Sequence, residues 1–339
     1  MKTFKNSELK TFEQLASLKQ SSLKKVLASF LKKHYKKVVH TEDYIFAEGD
    51  IPIALTAHMD TVFKAPPEEI FFDPKKNVLW SPDGLGADDR AGVFAIVQII
   101  RAGYKPHIIF TTDEEIGGKG ATAIAQLDCP FKELKYIIEL DRRGSNDCVF
   151  YDCENPEFNE YVETFGFEYN FGSYTDICEF CPEWGVAGVN LSIGYRDEHT
   201  TSEILFVGYM YSTIEKVKKM LDDAANAPKF KYIRSKYSYG GWHANFYSEI
   251  YGAGQGVYKC NHCSRYFMEE ELFPAIMLDK TTRFYCPDCL VDKAAWCDEC
   301  GSAYERYSPE APLHGLCPAC IDLKEKKNVS TGKNKQKPN

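Results

Sequence analysis

Residues 107–120, HIIFTTDEEIGGKG, join a short apolar run to three consecutive acids and a glycine-rich turn. The run 107–112 is typical of a buried strand, and the glycines favour a sharp turn into a following helix. Glu114 and Glu115 are adjacent like charges at the end of that strand, where repulsion and lost hydration are unfavourable. A bound cation would offset that cost, so the stretch predicts a strand end that carries a metal ligand.

The same arrangement recurs along the chain, because short apolar runs end in polar residues and helical stretches separate them. The predicted strands are 51–57, 107–112, 136–140 and 186–193. The predicted helices, after a helical first forty residues, are 91–102, 119–126 and 212–224. Strands that alternate with helices predict an α/β layered domain. Ligands in such sheets collect beyond the carboxyl ends of the strands.

Composition and charge restrict the function classes. The 339 residues are 44% hydrophobic and carry a net charge of −8. Residues 1–40 hold ten Lys against two Glu, and residues 324–339 hold six Lys against one Glu, so the chain between them is strongly acidic. That acidity disfavours nucleic-acid binding. No apolar stretch reaches the roughly 18 residues of a membrane span, and the Lys-rich start does not resemble a signal peptide. We therefore expect a cytoplasmic protein without a membrane partner.

Histidines and carboxylates occupy equivalent places at the ends of consecutive strands. They are His58, Asp60, Asp88, Asp89, Glu114, Glu115, Asp141 and His199. A lone histidine near a strand end is usually a hydrogen-bonded structural residue, and a pair of acids is usually solvated surface. The joint pattern favours another interpretation, because imidazole and carboxylate ligands suit zinc or a similar first-row metal. Two such ions bridged by a carboxylate form a known hydrolytic arrangement.

Five motifs in order resemble those of the co-catalytic zinc peptidases of clan MH, which include tripeptidase-T, carboxypeptidase and aminopeptidase groups. They are AHMDTV (57–62), GLGADDRAG (84–92), TTDEEIGG (111–118), ELD (139–141) and EHTTSE (198–203). The resemblance covers residues 8–225. It implies a three-layer, phosphorylase/hydrolase-like α/β fold, in which a mixed sheet carries helices on both faces. It also implies a metallopeptidase with two Zn²⁺ ions, or Co²⁺ or Mn²⁺, in the active site.

The resemblance assigns a role to each motif residue. The implied ligands are His58, Asp88 and Asp141 for one metal and Asp88, Glu115 and His199 for the other, with Asp88 bridging. Asp60 would accept a hydrogen bond from the ring of His58 and so orient it. Glu114 would be the general base, which takes a proton from water and returns it to the leaving amine.

The spacing of the motifs indicates a compact form of this superfamily. Only 57 residues separate Asp141 from His199, and His58 lies 30 positions before Asp88, so neither gap holds the inserted domain of the larger groups. The sequence of the motif AHMDTV, however, resembles more closely the corresponding motif of the group that carries a lid domain. The segment GSYTDICEF (172–180) resembles a substrate-side loop of the lidless forms.

Candidate substrate-binding residues follow from the lidless form. Thr175 and Asp176 lie in the substrate-side loop, and Arg142, Arg143 or Arg196 could bind a substrate carboxylate in place of a residue from the lid. The alternative is that these arginines lie on the surface and balance an acidic domain.

Eight of the thirteen cysteines form four C-x-x-C pairs, which is metal-ligand spacing in a reduced protein. They are Cys260/Cys263, Cys286/Cys289, Cys297/Cys300 and Cys317/Cys320. Eight thiolates suffice for two closed structural zinc sites. Sequential pairing, as in zinc ribbons, and cross-braced pairing are both open, and the seven-residue gap between the second and third pairs favours the sequential form. Acids outnumber bases in residues 259–321, which favours stabilisation or a protein partner over nucleic acid.

These observations predict four segments: a catalytic domain (1–227), a Gly/Tyr-rich linker (228–258), a zinc-ribbon-like module with two four-cysteine sites (259–321) and a Lys-rich disordered tail (322–339). The predicted function is hydrolysis of a peptide-type amide by a binuclear zinc exopeptidase acting at the N-terminus of short peptides. An amidohydrolase or deacylase acting on N-acyl amino acids or similar small amides would use the same site. A protein of another class, an inactive scaffold that binds a partner through its zinc module, is the remaining alternative.

Overall fold

The computed structural model divides the chain into two compact units, residues 1–238 and 239–339. It describes residues 2–172, 174–234, 257–263, 265–268, 272–277, 282–297, 299, 302–305, 315–317 and 320–321. Cys300, the predicted tail and residues 235–256 of the predicted linker lie outside the described residues. Among the described helices, none has both the length and the apolar character needed to cross a membrane.

The first unit is built on an eight-stranded mixed sheet. Its strands are β1 (Lys37–His40), β2 (Tyr44–Glu48), β3 (Ile51–His58), β6 (Pro106–Thr111), β7 (Tyr136–Arg142), β8 (Asp147–Val149), β9 (Glu168–Tyr169) and β10 (Gly188–Ser192). They are arranged in the order β1-β2-β6-β3-β7-β10-β8-β9. The central strands β6, β3, β7 and β10 run parallel, so their carboxyl ends meet at one edge of the sheet.

A smaller antiparallel sheet adjoins the segments that carry two of the predicted ligands. Its strands are β4 (Phe71–Asp73), β5 (Val78–Trp80), β11 (Tyr195–Arg196) and β12 (Ile204–Phe206), in the order β11-β12-β5-β4. The loop that carries His199 connects β11 to β12, and the segment before Asp88 follows β5.

Helices cover both faces of the large sheet, as the predicted fold class requires. They are α1 (Asn6–Ala16), α2 (Gln20–His34), α3 (Ala87–Arg101), α4 (Lys119–Ala125), α5 (Pro156–Glu163), α6 (Ile177–Trp184) and α7 (Val207–Asp222). Helix α3 packs on β3 and β7 together with α1 and α7, whereas α4 and α6 pack on the opposite face.

The alternation of side chains along each strand builds the two cores. Ile53, Leu55 and Ala57 of β3 face the larger core, and Ala54 between them faces the core beneath α4 and α6. Each of these side chains is fully buried, which explains why strands covered on both faces read as continuous apolar runs. The four strands predicted from those runs are confirmed within two residues at each end.

Two boundaries differ from the sequence-based expectations. The first forty residues are not one continuous helix. The helical conformation is interrupted between α1 and α2, and the segment ends with strand β1, where Val38 and Val39 favour an extended backbone. At the other end, Phe230 is only 3% exposed and packs in the larger core. The first unit therefore continues past the predicted boundary at residue 227.

The second unit contains two small sheets and one helix among its described residues. Strands β13 (Val257–Lys259) and β14 (Tyr266–Met268) form a hairpin around the first C-x-x-C pair. The second sheet has the order β16-β15-β18-β17, and its strands are β15 (Phe273–Ile276), β16 (Thr282–Tyr285), β17 (Ala294–Trp296) and β18 (Ala303–Glu305). Helix α8 (Pro287–Lys293) follows β16 directly.

Candidate active site

The parallel strands deliver the predicted site residues to one edge of the large sheet. His58 is the last residue of β3, and it pairs with Thr111 at the end of β6. Glu114 and Glu115 follow β6 after a short turn, and Asp141 lies near the end of β7. The sheet register alone therefore brings the side chains of three motifs close together.

Asp88 places its two carboxylate oxygens against two different histidines. Oδ1 lies 3.1 Å from His58 Nε2, and Oδ2 lies 3.2 Å from His199 Nε2. Asp141 Oδ1 approaches His58 Nε2 to 3.4 Å, and Glu115 Oε2 approaches His199 Nε2 to 3.1 Å. Two groups of ligand atoms therefore share Asp88, one with His58 and Asp141 and the other with Glu115 and His199.

The spacing of these atoms fits metal coordination. Ligand atoms about 2.0–2.1 Å from a zinc ion stand roughly 3.3 Å apart at tetrahedral corners, and the four N···O separations are 3.1–3.4 Å. Glu115 Oε1 is buried without a hydrogen-bond partner among the described residues, so the protein leaves that oxygen unsatisfied. Histidine and carboxylate donors suit zinc and other first-row ions. The residues present fit two divalent cations.

The protein's own charges show how strongly this cluster attracts positive charge. Burial would raise the pKa of Asp88, but hydrogen bonds from His199 and His58 outweigh it and hold that pKa well below its usual range. Hydrogen bonds to Asp88 and Glu115 raise the pKa of His199 to about 11. Burial, followed by repulsion from Asp88, raises the pKa of Asp141 to about 7. The cluster therefore favours bound positive charge, supplied by protons or by metal ions.

Asp60 connects the first histidine to the two glutamates. Its Oδ1 lies 3.2 Å from His58 Nδ1 and accepts the backbone N–H of Glu114 at 3.1 Å. Its Oδ2 accepts the backbone N–H of Glu115, also at 3.1 Å. One carboxylate thus fixes the ring of His58 and the turn that carries both glutamates, which extends the orienting role that the sequence predicts for it.

Glu114 lies beside the predicted ligands and forms no ion pair of its own among the described residues. Its carboxylate is within 4.8 Å of ligand atoms of His58 and Glu115. Burial is the main reason that its pKa is raised to about 9, and neighbouring carboxylates add to the effect. A carboxylate whose basicity is raised in this way can hold a proton next to a metal site.

The comparisons with known proteins agree with this geometry. Residues 54–305 match the profile of peptidase family M20/M25/M40, which covers more than half of the chain. The chain belongs to this peptidase family. It is therefore a metallopeptidase, in line with the resemblance carried by the five motifs. No curated protein matches the chain in a sequence comparison.

Solved structures of similar fold support the assignment of the peptidase fold. Aminopeptidase PepT from Bacillus cereus is 16% identical, with a TM-score of 0.53 over 64% of this chain and 98% of that one. A tripeptidase from Staphylococcus aureus is 14% identical, with a TM-score of 0.51 over 65% and 98% of the two chains. An aminopeptidase from the archaeon Desulfurococcus kamchatkensis is 14% identical, with a TM-score of 0.51 over 64% and 95%. At these identities the likeness concerns the fold.

The M20 peptidase contains supporting residues that the sequence motifs did not single out. Tyr195 Oη donates to Asp141 Oδ1 at 3.0 Å. Asn190 accepts the backbone N–H of Asp141 at 2.9 Å and donates to its carbonyl oxygen at 3.0 Å. Glu203 accepts two backbone N–H groups beside Asp88. Tyr195 and Glu203 lie next to or within the last motif, but only the folded chain brings them to their partners.

Three residues predicted to bind substrate form hydrogen bonds with other residues of the protein. Thr175 Oγ1 donates to Asp141 Oδ2 at 3.0 Å, and Asp176, which is fully buried, accepts the Thr111 hydroxyl. Arg142 Nη2 donates to the carbonyl of Phe171 at 2.9 Å. Thr175 thereby joins the residues that hold Asp141, and the substrate-binding role of Thr175, Asp176 and Arg142 stays a prediction.

Two further arginines flank the site. The guanidinium of Arg196 is exposed and lies 5.4 Å from the ring centroid of Phe206, whereas the preceding Tyr195 points towards Asp141. Arg143 forms an ion pair of 2.9 Å with Glu198, the residue before His199. A role for either arginine in binding substrate also remains a prediction.

The second unit of this M20 peptidase contains two cysteine clusters. Cys260, Cys263, Cys286 and Cys289 converge, and so do Cys297, Cys317 and Cys320. The distance of 3.9 Å between Cys263 Sγ and Cys286 Sγ fits tetrahedral zinc with bonds of about 2.3 Å. The first two pairs meet in sequential order, as in a zinc ribbon. Arg265 Nε donates to Cys263 Sγ at 3.2 Å.

Proposed function

We propose that this M20 peptidase is a binuclear metal-dependent aminopeptidase that removes residues from the N-terminus of short peptides, with Glu114 as its general base. The observation that carries the proposal is the position of Asp88, whose two oxygens face His58 and His199 at 3.1 and 3.2 Å. A carboxylate shared in this way by two ligand groups supports two closely spaced cations.

The ligand roles follow from the two groups. His58 and Asp141 would complete one site with Asp88, and Glu115 and His199 would complete the other. Two divalent cations supply Lewis acidity when bound, which polarises a substrate carbonyl and lowers the pKa of water. Zn²⁺ fits the donor atoms, and Co²⁺ or Mn²⁺ would fit them as well.

Glu114 supplies the proton transfers. Its carboxylate lies beside the ligand atoms, so it can accept a proton from the attacking water and return it to the leaving amine nitrogen. Asp60 holds the Glu114 backbone through the N–H contact of 3.1 Å, which limits how far the base can move. Nearby cations would lower the raised pKa of Glu114 towards neutrality, the range in which a general base is effective.

The charge of the cleft favours a substrate with a free N-terminal amine. Two divalent cations contribute four positive charges, against the carboxylates of Asp60, Asp88, Glu114, Glu115 and Asp141. Asp176 and Glu139 are fully buried, and burial raises the pKa of each above its usual range, so they add less negative charge at neutral pH than their number suggests. Burial, together with repulsion from Asp141 and other acids, raises the pKa of Asp176 to about 7. The five carboxylates around the cations nevertheless outnumber the four positive charges, which favours an ammonium group over a substrate carboxylate.

The test is an activity panel with the full chain loaded with Zn²⁺, Co²⁺ or Mn²⁺. We expect turnover of aminoacyl anilides and dipeptides and slower or no turnover of N-acyl amino acids, which lack the free amine. Glu114→Gln should lower kcat by about 10²–10⁴-fold. Glu160→Gln is the matched control, because Glu160 is exposed on α5.

The outcomes separate the alternatives. Preferred turnover of N-acyl amino acids would identify a deacylase and contradict the aminopeptidase assignment. Absence of turnover with every metal would indicate an inactive scaffold, and a Glu114→Gln variant as fast as Glu160→Gln would exclude Glu114 as the base.

A further inference from the structure

Glu203 is a buried carboxylate that accepts hydrogen bonds from the backbone at Asp88. The residue is only 1% exposed. Its Oε2 accepts the backbone N–H of Ala87 and its Oε1 that of Asp88, each at 3.0 Å. These two residues are 116 and 115 positions away in the chain. The contact is therefore a long-range connection between two of the peptidase motifs.

The backbone around Asp88 needs such a partner. Gly86 precedes α3 with a φ of +66°, and Asp88 (φ −81°, ψ 100°) and Asp89 (φ −117°, ψ 43°) do not have helical backbone angles. The first helical hydrogen bond in this region runs from Arg90 N to Gly86 O. The N–H groups of residues 87 and 88 consequently lie at a helix start, where the helix itself supplies no acceptor.

The other end of the connection is the loop that carries His199. Glu203 N donates to Thr200 O at 3.2 Å, and Thr200 Oγ1 donates to Asp197 O at 2.7 Å. His199 adopts a φ of +64°, an unfavourable conformation for a residue with a side chain, so the surrounding loop must hold it in place. Glu203 thus links a locally bonded loop to the start of α3.

The two metal-ligand groups differ in how firmly the fold holds them. His58 and Asp141 lie on neighbouring strands of the large sheet, and their side chains are 1% and 8% exposed. His199 lies on a loop, and its side chain is 52% exposed. The position of His199 relative to Asp88 therefore depends on loop contacts, and the Glu203 carboxylate makes one that reaches the backbone of Asp88.

We propose that Glu203 is a positioning residue that fixes His199 relative to Asp88 and thereby sets the metal affinity of the Asp88–Glu115–His199 site. The inference rests on the proposed binuclear site. It adds that the affinities of the two metal sites depend unequally on Glu203. The Asp88–His58–Asp141 site depends much less on Glu203, because the sheet fixes two of its three ligands.

The test is stepwise metal binding by the metal-free full chain, with Zn²⁺ in competition with a chromophoric chelator and Co²⁺ as the spectroscopic probe. Cobalt bound by thiolates shows charge-transfer absorption that cobalt bound by histidine and carboxylates lacks, so the cysteine sites are counted separately. In Glu203→Gln one carboxylate oxygen becomes an NH₂ group, which faces a backbone donor. We expect one non-thiolate site, assigned to Asp88, Glu115 and His199, to lose about 10–100-fold in affinity while the other changes less than threefold.

Asn155→Ala is the matched control, because Asn155 is a buried cap of α5 whose Oδ1 accepts Phe158 N at 3.1 Å. Its loss should lower the thermal unfolding midpoint without changing metal affinity. Activity of Glu203→Gln should recover at high Zn²⁺ concentration, which loss of a purely structural cap would not produce.

The results distinguish the inference from the proposed function. Unchanged metal affinities in Glu203→Gln, with a lowered midpoint as in Asn155→Ala, would show a structural cap and overturn the inference alone. An equal loss at both non-thiolate sites would also overturn it. If the wild-type chain binds cobalt only through thiolates, both the inference and the proposed binuclear site fail. Glu203→Asp, which retains both acceptor oxygens, replaces Glu203→Gln in each comparison if the latter does not fold.

Discussion

Asp60 Oδ1 lies 3.2 Å from Nδ1 of His58, on the side of the ring opposite to the atom that faces Asp88. This contact keeps the imidazole in the orientation in which Nε2 is free to bind a metal. The same carboxylate accepts the backbone N–H groups of Glu114 and Glu115 at 3.1 Å. A single side chain therefore orients one proposed ligand and positions the turn that carries the proposed base and a second proposed ligand.

Replacement of Asp60 tests this double role. In Asp60→Asn, one acceptor oxygen becomes a donor facing N–H groups, so His58 and the turn at Glu114 both lose support. We expect zinc affinity of the non-thiolate sites to fall about 10–100-fold and kcat/KM to fall even at saturating metal. Asp128→Asn, an exposed acid on the loop after α4, is the control. Equal affinities in the two variants would contradict the orienting role.

The first cysteine cluster provides a second prediction, which concerns metal content. Cys260→Ser combined with Cys286→Ser removes two of the four converging ligands, so the chain should lose one zinc ion from its total. Peptidase activity should persist, because a site with four thiolates has no open coordination position for substrate.

Elemental analysis of metal per chain, together with peptidase kinetics, checks that result. Cys129→Ser is the control, since Cys129 belongs to neither cluster and lies in the first unit. An unchanged zinc count in the double variant would rule out a zinc ion at this cluster. Loss of activity would give the second unit a role in catalysis that its ligand set does not suggest.

His107 gives a pH-dependent prediction away from the metal ligands. The residue is 3% exposed, its ring stacks on Phe131 at 4.4 Å, and its Nδ1 accepts the N–H of Gly49 at 3.1 Å. Burial lowers the pKa of His107 from 6.5 to about 4. The unfolded chain takes up this proton as the pH falls through 6.5, whereas the folded chain resists until about pH 4. The free energy of unfolding should therefore decrease between these values, by up to about 3 kcal/mol.

Denaturant unfolding between pH 4 and 7 measures the effect, with His107→Gln as the comparison. The variant loses the ring stacking and should be less stable at pH 7, but its stability should fall less steeply with acid. Because the metal ligands are common to both proteins, the difference between the two slopes isolates His107. Parallel slopes would mean that the pKa of His107 is the same in the folded and unfolded chains.

The local sequence predicts the parts of the site that the sheet positions. His58 and Asp141 end apolar runs, and consecutive strands place such ends at one edge, so their convergence follows from the pattern of runs. Asn190 and Tyr195 reach Asp141 across 49 and 54 positions, and no local periodicity encodes those contacts. The small antiparallel sheet escaped prediction for a similar reason, since strands of two or three residues are too short to show alternation.

Gly92 of α3 packs directly against the backbone of Leu140 in β7, and it lies four residues after Asp88, while Leu140 immediately precedes Asp141. A Cβ atom at this position would lie 2.2 Å from the carbonyl oxygen of Leu140 and 2.5 Å from the carboxylate of Asp89. The backbone atom cannot rotate away, so Gly92→Ala must shift the helix from the strand. We expect a loss of about 1–3 kcal/mol in the free energy of unfolding and, because Asp88 and Asp141 move apart, weaker zinc binding at the non-thiolate sites.

Gly103→Ala separates the steric effect of Gly92→Ala from a general effect of replacing glycine. Gly103 follows the same helix with a φ of +99°, and an added Cβ atom meets nothing within 4 Å. That variant should lose stability through backbone strain, by about 1–2 kcal/mol, and keep its zinc affinity. Thermal unfolding measures the stability of both variants, and chelator competition measures their zinc affinity. If Gly92→Ala binds zinc as tightly as Gly103→Ala, the close packing of α3 on β7 does not set the distance between Asp88 and Asp141.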